Sequence, residues 1–185
     1  MSLKHILLGM LSEPQSGYDL KRNFDQALNN FWSAELSQIY PQLKKMEASG
    51  LLKCHEEESA SGPNRRVYTR SAKGRLELLE WLADGPQVGE ERISYLTQVF
   101  FLNELDDKKD GLSFMQELRD YMVDRYEYLV EVDGFLRKDD PRYPNDLPDD
   151  EFFPQLTLAL GLKRIKATIE WCDETIKRMK TRIGD

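Results

Sequence analysis

Leu3, Ile6, Leu7, Met10 and Leu11 recur at helical spacing ahead of Pro14, which predicts a short amphipathic first helix. Ser16-Gly17-Tyr18-Asp19 then has the form of a capping box. The Ser16 oxygen can accept from first-turn amides, and Asp19 sits at the positive end of the helix. Leu20, Phe24 and Leu28 make one inward stripe of this second helix. A third helical pattern covers residues 33–49, with Leu36, Ile39, Leu43 and Met46 inward and Gly50 as the stop. Pro41 has no N–H to donate, so this helix is either regular only beyond Pro41 or bent there.

After Gly50 the period changes to that of strands. Residues 51–58 and 65–70 read as two short strands joined by a Ser-Gly-Pro-Asn-rich turn, and Ser71 caps a fourth helix carrying Leu78, Leu79, Trp81 and Leu82. The order helix, helix, helix, hairpin, helix is that of a winged helix-turn-helix, in which three helices form the core and the hairpin is the wing. The fold class expected is therefore mainly α: an N-terminal winged helix-turn-helix over residues 1–85, then a long-helix dimerisation domain over residues 86–185 that also has room for an effector response.

In that second half, Ile93, Leu96, Val99, Phe100 and Leu105 suggest a connecting helix. Two heptad patterns follow. In the first, Met115, Met122, Leu129 and Leu136 hold one seam position and Leu118, Arg125 and Val132 the other, with Phe114, Tyr121, Tyr128 and Phe135 along the flank. Residues 139–151, rich in proline and acids, interrupt it. In the second, Leu158, Leu162, Ile165, Ile169, Cys172, Ile176, Met179 and Ile183 alternate steps of four and three. Two antiparallel helices of one chain could cover each other's seam. The second apolar flank on each helix instead points to a homodimer that completes a four-helix assembly, with Leu118, Met122, Leu129 and the α-helical seam from Leu158 to Met179 as its contacts.

Charge first argues against nucleic acid. The 185 residues carry 26 Lys and Arg against 33 Asp and Glu, a net charge of −7. Residues 1–82, however, hold 11 basic and 10 acidic side chains, so nearly all of the negative charge belongs to the second half. No stretch reaches the roughly 18 uncharged residues that a membrane span needs. Two distant cysteines, Cys54 and Cys172, suit free thiols in a reducing cytoplasm better than a disulfide framework.

Catalytic chemistry has no evident seat. His5 and His55 lack companions at metal-ligand or triad spacing, and no phosphate-cradling glycine loop or nucleophile elbow is present. No metal, cofactor or catalytic residue is therefore expected, and the acidic run from Asp139 to Glu151 fits a solvated linker. The polar face of the third helix is more informative. A winged helix inserts this face into the major groove, where Ser37 and Gln38 can reach base edges, with Tyr40 and Pro41 beside them and Lys44 and Lys45 nearer the phosphates. Arg65 and Arg66, at the base of the wing, are placed for a backbone or minor-groove contact. Tyr18 offers a hydroxyl where helix amides favour an anion, although an aromatic flanking an apolar stripe is as often part of the core.

Gly17-Tyr18-Asp19-Leu20, Phe31-Trp32-Ser33-Ala34, Gln38-Ile39-Tyr40-Pro41-Gln42-Leu43-Lys44-Lys45, Gly50-Leu51-Leu52, Arg66-Val67-Tyr68-Thr69, Gly74 and Trp81-Leu82 together resemble the PadR family of transcriptional regulators. The run from Phe31 to Lys45 is especially similar to the phenolic-acid-responsive repressors. Arg70 stands where that family usually has an aliphatic residue, and Ser71 where it usually has threonine. The resemblance implies a homodimeric repressor that binds double-stranded DNA at an inverted-repeat operator and is released by a small aromatic or hydrophobic effector. Trp32 and Trp171 are aromatic residues in the two halves suited to such a ligand. The rival reading, favoured by the acidic total charge, is a winged-helix protein-interaction module that reads no DNA sequence.

Overall fold

A computed structural model describes residues 3–28, 31–57, 65–89 and 91–184 of the chain. It divides into two compact units, Met1–Glu90 and Glu91–Asp185. In the first, α1 (Leu3–Met10), α2 (Gly17–Leu28) and α3 (Leu36–Ala48) enclose a core of Leu7, Leu8, Leu11, Leu20, Phe24, Ile39, Leu43 and Met46. These are the positions at which the apolar period of each helix turns inward. α2 starts as its sequence dictates: the Ser16 hydroxyl accepts from Asp19 N at 3.2 Å and donates to the Asp19 carboxylate at 2.7 Å. α3 runs through Pro41 without interruption, beginning three residues later than its apolar pattern suggested. It ends at Ala48 with Ser49 as its cap, followed by Gly50, whose φ of 73° only glycine adopts without strain.

The hairpin follows, with β2 (Leu52–Glu57) antiparallel to β3 (Arg65–Arg70) in a register that sets Cys54 opposite Tyr68 and Glu57 opposite Arg65. The turn expected at residues 59–64 lies outside the described residues. A two-residue strand, β1 (Gln15–Ser16), adds to the other edge of β3 and gives the sheet order β1-β3-β2. A pair of residues carries no readable alternation, so this strand left no periodic signal in the sequence.

α4 (Ala72–Ala83) is capped by Ser71, whose hydroxyl accepts from Gly74 N at 3.0 Å and donates to the Gly50 carbonyl at 2.7 Å. Gly74 has no room for a side chain, because a Cβ there would stand 2.2 Å from the Leu51 carbonyl oxygen. Arg70 donates from its backbone N to the Leu11 carbonyl at 2.8 Å and from Nη1 to the Leu8 carbonyl at 3.1 Å. It thereby closes the C-terminal end of α1, whose last carbonyls lack helical partners.

The second unit contains α5 (Ser94–Phe100), a single 3-10 turn at Leu102–Glu104, α6 (Lys108–Asp139) and α7 (Asp149–Ile183). α6 and α7 form an antiparallel hairpin. The start of α6 meets the end of α7, where a Cβ on Gly111 would touch Met179 at 3.4 Å, and Arg119 Nε binds Asp173 Oδ1 at 2.6 Å farther along. Met115, Leu129 and Cys172 are enclosed between the two helices. At the far end, Tyr143 donates to Asp133 Oδ1 at 2.5 Å, and Arg137 both pairs with Asp133 at 2.7 Å and lies over the Tyr143 ring. This cluster ties the connection after α6 back onto the helix. Among the described residues, no helix is long and apolar enough to cross a membrane.

Candidate nucleic-acid interface

The inward stripe of α3 leaves a continuous polar surface on its other side. Ile39, Leu43 and Met46 are buried, so Ser37, Gln38, Tyr40, Pro41, Lys44 and Lys45 are all exposed on that helix. Neither lysine is ion-paired among the described residues. A cation that no carboxylate neutralises keeps its full attraction for phosphate.

Gln38 has a local task as well. Its Oε1 accepts from Glu35 N at 3.0 Å, capping the first turn of α3. Tyr40 extends toward α2, where its ring lies over Gly17; a Cβ at Gly17 would come within 2.6 Å of Tyr40 Cε1. Tyr18 next to it is 67% exposed, so the core role weighed for it does not describe its position. The start of α2 and the middle of α3 thus meet where the Tyr40 ring lies over Gly17.

The wing arginines differ from each other. Arg65 is exposed at the end of β3. Arg66 is engaged: its Nη2 contacts both Glu47 oxygens, at 2.9 and 2.8 Å, and its guanidinium lies 5.4 Å from the centre of the Tyr68 ring. Tyr68 is itself buried, and burial raises its pKa above the usual phenol value. Glu47 had no signal in the sequence, since it is 19 residues away from Arg66 on a different element. The same is true of Gly17 as the seat of Tyr40, whereas Glu35, three residues before Gln38, has the local spacing of a capping box that the sequence could have shown.

Each histidine contacts a neighbouring side chain. His5 stacks on Trp81 with ring centres 4.6 Å apart and planes inclined by 10°, and its Nε2 lies 3.5 Å from Glu77, which also binds Lys4. His55 faces Glu57 at 3.2 Å on the exposed side of β2. Among the described residues, no three His, Cys, Asp or Glu side chains are grouped to hold a metal ion.

Of the residues expected at a dimer contact, Leu129 and Cys172 are fully enclosed by the chain's own α6–α7 hairpin. Leu118, Met122, Leu158, Leu162, Ile165, Ile169, Ile176 and Met179 are half-buried along it. Burial raises the pKa of the Cys172 thiol above its ordinary value. Tyr121, Tyr128 and Phe135, at steps of seven, remain exposed along α6, as do Phe153, Leu156 and Leu160 on α7.

A family model described as the transcriptional regulator PadR-like family matches residues 6–80. A second, described as virulence activator alpha C-term, matches residues 91–180. The negative transcriptional regulator PadR of Bacillus subtilis is 27% identical over 177 residues, covering 94% of this chain and 95% of that protein. A probable transcriptional regulator of Mycobacterium tuberculosis is 36% identical over 85 residues, 45% of each chain. Among solved structures, Bacillus subtilis PadR in complex with operator DNA matches with a TM-score of 0.81 and 25% identity, covering 96% of this chain and 98% of that one. The same protein in complex with p-coumaric acid matches with a TM-score of 0.73 at 25% identity, covering 96% and 95%.

Proposed function

The chain belongs to the PadR-like family of transcriptional regulators, and from that premise we propose that it is a homodimeric DNA-binding repressor whose operator affinity is released by a small aromatic effector. The observation that carries this reading is the exposed α3 face, on which Ser37 and Gln38 precede Lys44 and Lys45, neither ion-paired among the described residues. Recognition helices contact base edges with their N-terminal residues, and cations farther along reach phosphates. The relative crystallised on operator DNA covers nearly the whole chain, which supports assigning the same kind of partner here. The relative crystallised with p-coumaric acid supports an aromatic acid as the effector class.

The exposed apolar rows, aromatic on α6 and mixed on α7, support self-association, because exposed apolar surface of this kind marks a contact site. A two-fold dimer sets its recognition helices about one DNA turn, roughly 34–36 Å, apart and so favours an inverted repeat. The reading assigns the protein to the cytoplasm, where the DNA is, and gives it no catalytic residue.

Anisotropy titration of the dimer with duplex DNA from upstream of its own gene tests the function. Salt-sensitive, sequence-selective binding that an aromatic acid reverses is the expected result. If no duplex is retained at low salt, the winged fold serves protein interaction instead. If compounds that bind the protein leave operator affinity unchanged, the effector assignment is wrong.

A further inference from the structure

Glutamine at a DNA interface ordinarily reads adenine with both ends of its amide, the oxygen accepting from N6 and the nitrogen donating to N7. Gln38 has only one of those ends free. Its Oε1 is turned back to receive Glu35 N at 3.0 Å, at the first turn of α3. The orientation of the amide follows from the partner, since a backbone N–H can be received by the oxygen and not by the NH2 group. An oxygen directed at the helix's own N-terminus cannot also lie beside the nitrogen against a base edge. What Gln38 presents outward is the Nε2 donor pair, on an exposed residue at the N-terminal end of the helix.

We infer that Gln38 reads its base as a hydrogen-bond donor only, and so selects a major-groove acceptor, guanine N7/O6 or thymine O4, instead of pairing bidentately with adenine. The inference rests on the DNA-binding reading above and names the specificity of that same surface. Because adenine displays its N6 donor next to N7, a donor-only side chain gains less from adenine than from guanine, which offers two adjacent acceptors.

The test selects duplexes from a pool randomised across an inverted repeat, with the full-length dimer and with two variants. Gln38→Glu keeps an oxygen for Glu35 N and preserves the cap, but removes the donor. Gln38→Ala removes both. The wild type is expected to enrich guanine or thymine at one symmetric pair of positions, and both variants to lose that preference while their thermal midpoints show that the protein still folds. Gln38→Glu should move the preference toward cytosine, whose N4 amine donates. Replacing the selected base by an analogue that lacks the acceptor, such as 7-deazaguanine, should weaken wild-type binding about fivefold and leave Gln38→Ala unaffected. A Gln38-dependent preference for adenine that disappears when the N6 amine is removed would overturn the inference, as would an unchanged base preference in Gln38→Glu. Failure of the wild type to enrich any duplex overturns the DNA-binding reading itself, an outcome separate from either of these.

Discussion

Glu47 on α3 receives Arg66 of β3 on both carboxylate oxygens, at 2.9 and 2.8 Å, and thereby joins the recognition helix to the base of the wing. Both oxygens share the single Nη2, so the contact anchors one nitrogen at the carboxylate and leaves the plane of the guanidinium free to turn. It also sets a carboxylate against the cation, so Arg66 has to leave Glu47 before it can meet a phosphate.

The salt dependence of DNA binding should separate these roles. Each phosphate contact contributes about 0.9 to the slope of log K against log salt concentration. Lys44→Ala and Lys45→Ala should each lower the slope by about that amount, whereas Arg66→Ala should weaken binding with the slope unchanged. Glu47→Gln frees the guanidinium and should steepen it. A slope that falls equally in Arg66→Ala and Lys44→Ala would show that Arg66 leaves Glu47 for phosphate.

Two glycines at close approaches should respond differently to the same substitution. At Gly74 the added Cβ meets a backbone carbonyl at 2.2 Å, which cannot move without shifting α4 away from β2. Gly74→Ala should destabilise the first unit by about 2 kcal/mol or more, read as a lower thermal midpoint. At Gly17 the obstacle is the Tyr40 ring, which is 46% exposed and can swing away. Gly17→Ala should leave the midpoint within about 1 kcal/mol of wild type while displacing Tyr40 and reducing operator affinity. Loss of stability at Gly17 equal to that at Gly74 would show that Tyr40 is locked in place.

Acidification should loosen the contact between α1 and α4. Burial, followed by the charge of Lys4, holds the His5 pKa below the ordinary histidine value of 6.5, and the contact with Glu77 opposes this only in part. The unfolded chain therefore takes up the proton more readily than the folded one. Stability is complete above about pH 6.5 and declines as pH falls through that value toward the folded pKa. Thermal melts at pH 7.5 and 5.5 should show a larger loss for wild type than for His5→Phe, which keeps a ring against Trp81. Equal losses would assign the pH dependence to other groups.

The two thiols should differ in reactivity. Cys172 is fully buried, and desolvation raises its pKa, so little thiolate is exposed to a reagent; Cys54 is only half-buried. A disulfide reagent should modify Cys54 at least about tenfold faster in the native protein, and both at similar rates in denaturant. Comparable native rates would mean that the α6–α7 hairpin opens readily.

Local patterns along the chain determined the elements. Steps of three and four marked α1 to α4 and the two long helices, because a helix facing a core must repeat its apolar side every turn. Ser16 and Ser71 marked helix starts and Gly50 a stop, because caps depend on residues within one turn of each other. The order of those elements carried the winged-helix architecture, and the stripe at Ile39, Leu43 and Met46 left only one side of α3 free to hold Ser37, Gln38, Lys44 and Lys45. What tertiary structure alone decided are pairings across distance. Arg66 finds Glu47, Arg70 closes the end of α1, Tyr40 lies over Gly17, and β1 joins the edge of β3. Leu129 and Cys172 have the heptad spacing of an intermolecular seam, yet they are satisfied within one chain, because periodicity states that a helix face needs a partner and not which helix supplies it. An ion pair or a ring over a glycine depends on where two remote segments meet, and only the packed core sets that distance.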